Sequence, residues 1–462
     1  MLTGRSFDLL VNLQTERERM ERHRVLFFLL LVLIFSPNTC DGAINRQSAY
    51  YVSNYGSDDN PGTRELPWRT LEAISNFNFA PGDTVFFARG SRFTGGFIFK
   101  SSGQPGKPIT FTSYGHGALP VFTNPRYSNL NGNAIRISGS YIVIDGLYFY
   151  NCPKSAVCKD IHTLGAVFIS VGADHNIVQN CEMTKTSIGI QTYGQHTLIT
   201  KNYIHDNNVA IQPHWGPVCV FVCTSNNEVS YNRFENYNAP SNEYGHDGGA
   251  IEINDRGFPK DNIKIHHNYS YRNQGFVEFV GRVKQNNMII HHNVCEDYQS
   301  FIGFTGPCTN MRIENNTVIR TLAHEQPDSE DVTFWFYYDN SDLVFRNNIF
   351  VYDPARVEPV FSRGQFAREN NLYYRLDNPS PFDSANYSAF MRLVVGGGAS
   401  LGKNDKIGNP LFVDFKNRDY RLRPDSPAVD SGVDLGYKLD FDNNPIPAGG
   451  APDIGAYERQ KK

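Results

Sequence analysis

A seven-residue phrase recurs along the second half of the chain, with apolar and polar positions alternating and asparagine at its end. NIKIHHN ends at Asn268, NMIIHHN at Asn293, NMRIENN at Asn316 and DLVFRNN at Asn348, with weaker copies ending at Asn202, Asn232 and Asn371. Alternation of period two is the signature of a strand with one covered face, so Ile263 and Ile265 point inward while Lys264 and His266 point out. Successive endings lie 30, 36, 25, 23, 32 and 23 residues apart. A base of 23 with insertions matches one coil of a parallel β-helix, in which each coil supplies two or three short strands and surplus residues leave as loops. The terminal asparagine has a physical role at such a bend. It tolerates left-handed backbone, and its amide bonds the asparagine of the next coil, predicting a buried ladder. Cys181 and Leu147 fill the same slot in earlier coils, so the ladder is expected to begin at Asn202.

Composition narrows the class further. The chain has 462 residues, 40% hydrophobic and 19% charged, which excludes intrinsic disorder. With 25 Tyr, 33 Phe and 39 Gly it reads as a β-rich protein with many turns. A net charge of −4 creates no global basic field, so no nucleic-acid partner is expected. Near the start, Met20 to Arg24 is a basic segment followed by an 11-residue apolar run, Val25 to Phe35, then Ser36-Pro37. A membrane-spanning helix needs about 20 apolar residues, so the run reads as a secretory signal rather than an anchor. Residues 1–42 are assigned to it, with Met20 as an alternative start and cleavage near Cys40 to Ala43. The protein is expected outside the cytoplasm, secreted or periplasmic, with no transmembrane span; a lipid anchor on Cys40 is the lesser alternative. Eight cysteines permit disulfides, and Cys152 with Cys158, flanking a short loop, is the most plausible pair. Cys219 and Cys223, four residues apart in a strand, stand about 13 Å apart and do not bridge.

Two segments carry a family resemblance. YYVSNYGSDDNPGTRELPWRTLEAI, from Tyr50 to Ile74, resembles the first strand and capping segment of right-handed parallel β-helix proteins of the pectate-lyase-like superfamily. NPLFVDFKNRDYRLRPDSPAVDSGVDLG with PDIGAYE, ending at Glu458, resembles their closing module. The resemblance implies an all-β, right-handed parallel β-helix of about ten coils with a terminal cap at each end. It also implies polysaccharide lyase, hydrolase or epimerase activity in a groove along one sheet. The layout expected is a signal at 1–42, cap and first strands at 43–138, a β-helix core with the groove at 139–395 and a C-terminal capping module at 396–462. A monomer is expected.

The strands opening each coil locate the chemistry. In GAIEI, Gly249 to Ile253, the inward positions are Ile251 and Ile253, which leaves Glu252 and Asn254 facing out. GFVEF, Gly275 to Phe279, places Glu278 one coil away, about 4.8 Å along the axis. Like charges so stacked are costly unless a shared proton or a calcium ion held by Asp247, Glu252 and Asn254 relieves them. Residues 252–284 carry Arg256, Lys260, Lys264, Arg272, Arg282 and Lys284 against four acidic residues, a local polarity suited to an anionic sugar. The insertion before GAIEI ends in Tyr244, His246 and Asp247, a substrate contact, a candidate base and a candidate partner. One coil lower, Gln212, His214 and Trp215 are candidate substrate contacts, the tryptophan by stacking on a sugar ring. The pairs His266 with His291 and His267 with His292 form a separate column, read as stacked, solvated side chains rather than catalysts.

Three functions compete. The leading one is a lyase acting by β-elimination on a uronate-containing poly- or oligosaccharide, with Glu252, Glu278, His246, Lys260 and Arg282 as catalytic candidates and Arg256 and Lys284 binding substrate. The second is a glycoside hydrolase using a carboxylate pair. The third is a non-catalytic β-helix that only holds glycan.

Overall fold

A computed structural model describes residues 47–127, 130–153, 161–211, 215–242, 245–254, 256–304, 307–322, 324, 334–353, 361–377 and 401–460. The expected signal and Cys40 lie outside these residues, as do Cys158, Gln212, His214, Tyr244 and the glycines 396–398. The body that carries the site is Ser48–Lys462.

Alternating strands stack coil upon coil in parallel, as the repeat predicts. Three ladders result. The first, which faces the site, runs through Phe97–Phe99, Ile135–Ile137, Val167–Ile169, Ile188–Thr192, Val218–Val222, Gly249–Asn254, Val277–Val280 and Ile302–Phe304 into the long strand Phe334–Arg346. The second carries the seven-residue phrases, including Lys264–His266, Gln285–His291 and Cys308–Glu314. The third, a sheet of 12 parallel strands, follows the asparagine bend. Coils therefore outnumber the ten expected, and they begin early: Ala49–Val52 already pairs in parallel with Thr84–Ala88. Residues 49–127 and 130–138 are thus wound into the β-helix itself. Its cap is the short helix Leu71–Asn76, started by Thr70 accepting from the Glu72 amide and turning Leu71 and Ile74 inward.

Inward positions of all three ladders merge into one core, with Ile251, Ile253, Ile265, Phe279, Ile290 and Phe234 at 2% exposure or less. The asparagine ladder is present and buried. Each Nδ2 of Asn202, Asn232, Asn268, Asn293, Asn316 and Asn348 donates to Oδ1 of the next asparagine at 2.9–3.0 Å, and Asn371 ends the run on Asp405 Oδ1 at 3.1 Å. The left-handed backbone is displaced by one residue from its expected place. It falls on the residue before each ladder position, Lys201, Tyr231, His267, His292, Asn315, Asn347 and Asn370, with φ between 49° and 57°. The bend is made there, and the asparagine itself is free to serve as hydrogen-bond spine.

The C-terminal segment lies over the third ladder and the bend. Phe412, Tyr420, Leu422, Ala428, Ile454 and Ala456 cover Val294, Ile319, Ile349, Val351 and Leu372. Asn347 and Asn370 donate to the carbonyls of Val433 and Ser431, both at 2.8 Å. His267 Nε2 bonds the Asp440 carbonyl at 3.1 Å, and His291 stacks on Tyr437. The histidine column is stacked as expected, with ring centroids 4.7 Å apart for His266 and His291, but it is not solvated: His267 and His292 are buried beneath this segment.

All six described cysteines are free thiols and buried, including Cys219 and Cys223. Cys152, expected in a disulfide, instead sets Sγ against the carbonyls of Phe122 and Tyr150. Among the described residues, no helix is long and apolar enough to cross a membrane.

Candidate functional site

The outward positions of the first ladder form one column in strict register: Ile98, Arg136, Phe168, Gln191, Phe221, Glu252, Glu278, Gly303 and the backbone position of Trp335. Glu252 and Glu278 are therefore stacked on adjacent strands, as the alternation in GAIEI and GFVEF requires. Above them stands Gly303, which adds no side chain.

A cavity of about 540 Å³ opens over this stretch. Its lining brings together Glu252, Glu278, Asp247, His246, Asn254 and Trp215 from the sequence-predicted set. The insertion expected as a loop is partly a β-hairpin, Ala239–Ser241 against Gly245–Asp247, which carries His246 and Asp247 to the rim. Asp247 is fixed by two backbone amides, accepting from Gly216 N at 2.9 Å and from Gly248 N at 2.7 Å. Gly216 is required for this: a Cβ there would stand 2.0 Å from the Asp247 backbone. His246 stacks on His324 with centroids 3.5 Å apart, and His324 in turn stacks on Tyr298 and bonds Gln274 Oε1 at 2.8 Å. The imidazole of His246 is thereby part of an aromatic wall.

Glu252 is half-buried at the cavity floor, whereas Glu278 is exposed. Burial pushes the Glu252 carboxyl well above the ordinary carboxylate range, to about 8, and the negative charge of Asp247 adds to the rise. Asn254 opposes it, donating Nδ2–H to Glu252 Oε1 at 2.9 Å. Three carboxyl groups thus line one cavity, and one of them, Glu252, is pushed toward its protonated form, an arrangement suited to proton transfer.

The cationic half of the expected site is elsewhere. Arg256, Arg282 and Lys284 are exposed and do not line the cavity. Lys260 is fully buried, its ammonium donating to the Phe258 carbonyl at 3.1 Å. The loops that carry these residues leave the coil after the strand ends, and alternation in the strand says nothing about where a loop returns. The calcium set also fails to fit. Asn254 turns its NH2 toward Glu252, Asp247 is engaged by backbone amides, and among the described residues no group of three His, Cys, Asp or Glu side chains is placed to hold a metal ion.

The sequence reading missed the apolar wall. Ile161, His162, Ile188, Ile211, Val218 and Phe221 line the side of the cavity nearer the N-terminal coils. The signal was present: VCVFV, Val218 to Val222, is apolar at every position instead of alternating, which marks a strand covered on both faces.

Comparison with known proteins fits this architecture. The family described as Pel9A-like, right handed beta helix region matches residues 50–216, and the family described as right handed beta helix region matches residues 159–318. Both matches describe a right-handed β-helix region, in agreement with the parallel coils of the structure. A curated relative, uncharacterized protein YwoF of Bacillus subtilis (strain 168), is 32% identical over 133 residues, which is 28% of this chain and 27% of that protein. The match thus spans about a quarter of the relative. Among solved structures, pectate lyase Pel9A is similar over 89% of this chain and 96% of its own, with a TM-score of 0.54 and 16% identity. XylC in complex with xylose has a TM-score of 0.53 at 12% identity, covering 90% of this chain and 99% of its own. A rhamnogalacturonan lyase has a TM-score of 0.51 at 15% identity, covering 74% and 90%. At these identities the likeness establishes the fold.

Proposed function

We propose that this chain is a glycoside hydrolase, with Glu252 as general acid and Glu278 as its partner carboxylate. The observation that carries the reading is the pair itself: a half-buried carboxyl held neutral beside Asp247, in register with an exposed carboxyl one coil above. In this scheme the Glu252 proton passes to the glycosidic oxygen as the bond to the anomeric carbon breaks. Glu278, as carboxylate in this scheme, either attacks that carbon or takes a proton from the water that does. Asn254 holds the Glu252 carboxyl in one orientation, and Trp215, 36% exposed at the rim, offers a face to a sugar ring. Solved relatives in fold named as a pectate lyase, a rhamnogalacturonan lyase and a xylose complex support a carbohydrate as the substrate class.

The elimination reaction anticipated from the sequence needs a cation facing the uronate carboxylate. Among the described residues no Arg or Lys lines the cavity, so the carboxylates favour hydrolysis of an uncharged sugar.

The test is incubation of the purified chain with a panel of neutral and uronate glycans, following both reducing ends and the ultraviolet absorbance of an unsaturated uronate. The expected result is new reducing ends without that absorbance. Appearance of the absorbance would replace the reading with elimination, and binding without turnover would replace it with a glycan-holding role.

A further inference from the structure

The outward column does not continue as an open groove on both sides of the carboxylates. Toward the C-terminal coils it passes from half-buried Glu252 to exposed Glu278 and then to Gly303, which carries no side chain. Toward the N-terminal coils the next three positions, Phe221, Gln191 and Phe168, are 0%, 0% and 8% exposed. Outward residues of a sheet are buried only if something lies on them. What lies here is a second apolar cluster, separate from the β-helix core, to which Ile161, Leu164, Ile188, Tyr193, Ile211, Val218 and Cys223 contribute, with Phe258 packed against it.

The plug is well tied. His162 meets the Phe221 ring edge-on at 5.6 Å, and Tyr193 touches both Phe168 and Phe258, at 5.8 and 6.2 Å between centroids. Tyr193 Oη donates to the His162 carbonyl at 3.2 Å, Ile211 N donates to the Trp215 carbonyl at 2.8 Å, and Arg136 caps Phe168 at 4.7 Å. A sugar chain laid along the coil axis meets this cluster directly beside Glu252.

We infer that the site is blind at its N-terminal side and takes the end of a glycan chain, cutting off a terminal unit instead of cleaving internal bonds. The inference rests on the hydrolase reading of the same cavity and specifies how the substrate enters it: the terminal unit against the wall of Ile161, Ile188, Ile211 and Phe221, the rest of the chain leaving past Ser300 and Gly303.

Two measurements test it. With the glycan that the protein digests fastest, reducing ends should accumulate while viscosity stays nearly constant and a single small product appears from the earliest time points. Early loss of viscosity with a ladder of internal fragments would overturn the inference and leave the hydrolase reading standing. Independently of turnover, the Glu252→Gln variant should bind chain ends, so partial acid fragmentation that triples the number of ends at constant mass should triple the amount of variant bound. Unchanged binding per mass would overturn end recognition. Absence of both cleavage and binding across the panel would overturn the carbohydrate reading and the inference with it.

Discussion

Glu252 and Glu278 occupy the same outward position on neighbouring strands, yet one is sunk into the cavity floor and the other stands in solvent. Burial and the Asp247 charge raise the proton affinity of Glu252, which in the hydrolase reading suits it to the acid's role with the exposed Glu278 as its partner.

The first consequence is kinetic. Glu252→Gln and Glu278→Gln should each lower kcat/KM at least about a hundredfold, the range typical of a lost general acid or its partner. Circular dichroism should be unchanged in both. Retention of more than a tenth of wild-type kcat/KM by either variant would remove that residue from the mechanism.

The second concerns pH. A general acid held to about pH 8 keeps its proton through neutrality, so activity should fall above that point. Asp247→Asn removes a charge that raises the Glu252 value and should move the alkaline limb down; Asn254→Leu removes a bond to the carboxylate and should move it up. Stability follows the opposite logic to a salt-bridged acid. Between the ordinary carboxylate value and about 8 the native state holds a proton that the unfolded state has lost, so wild-type stability declines across that window. Glu252→Gln should therefore melt higher than wild type at pH 8–9, and the two should converge near pH 4, as differential scanning calorimetry will read.

The third concerns the buried imidazoles. Burial, with His266 beside it, lowers His267 to about 4, and burial holds His291 and His292 well below the usual range. These groups stay neutral in the native state while the unfolded chain takes up protons below about 6.5, so stability should fall as pH drops from there toward 4. His267→Gln should flatten that part of the curve while leaving kcat intact at pH 7, since the column lies on the second ladder. A large loss of kcat in correctly folded His267→Gln would place catalysis on that face.

The fourth concerns the spine. Asn293→Leu leaves the Asn268 amide groups and the Ile265 carbonyl without their partners. Each orphaned buried group costs about 1–3 kcal/mol, so the variant should lose at least that much in a denaturant titration. An unchanged midpoint would show that the ladder contributes nothing.

The fifth separates the two chemistries. In the hydrolase reading, Arg256→Ala, Arg282→Ala and Lys284→Ala should each change kcat/KM less than about threefold and treatment with EDTA should leave activity unaltered, because none of these cations, and among the described residues no group of three His, Cys, Asp or Glu placed to hold a metal, lines the cavity. A hundredfold loss in Arg282→Ala would revive elimination at a uronate.

How far the sequence could be read follows from which constraints are local. Period-two alternation sets the facing of Glu252 and Glu278 within a coil, and the asparagine phrase sets the register between coils, so the stacked carboxylates were legible before any coordinates. Both signals stop at the strand ends. Arg256, Lys260, Arg282 and Lys284 sit on loops whose return path depends on tertiary packing, and charge counting along the chain gathered them into a groove that they do not enter. The plug was legible only in part: the unbroken run Val218 to Val222 announced a covered outer face, but its cover comes from Ile161, Tyr193 and Phe258, dispersed over nearly a hundred residues. The left-handed bend falls one residue before the ladder asparagine, a displacement that alternation and the asparagine phrase do not encode.

The C-terminal cover has a consequence for the order in which this protein is made. Coils leave the ribosome from first to last and each finds its neighbour at once, but Val294, Ile319, Ile349, Val351 and Leu372 wait for residues 412–456 to arrive. Thr317 Oγ1 accepts from the amide of Ala456, 139 positions further along the chain, so these later turns of the solenoid are sealed by residues translated well after them. A chain halted at residue 410 would carry the stacked carboxylates and an uncovered apolar flank. Such a product is a natural target for chaperones and proteases, which makes the arrival of residues 412–456, rather than the winding of the coils, the step on which accumulation of this protein depends.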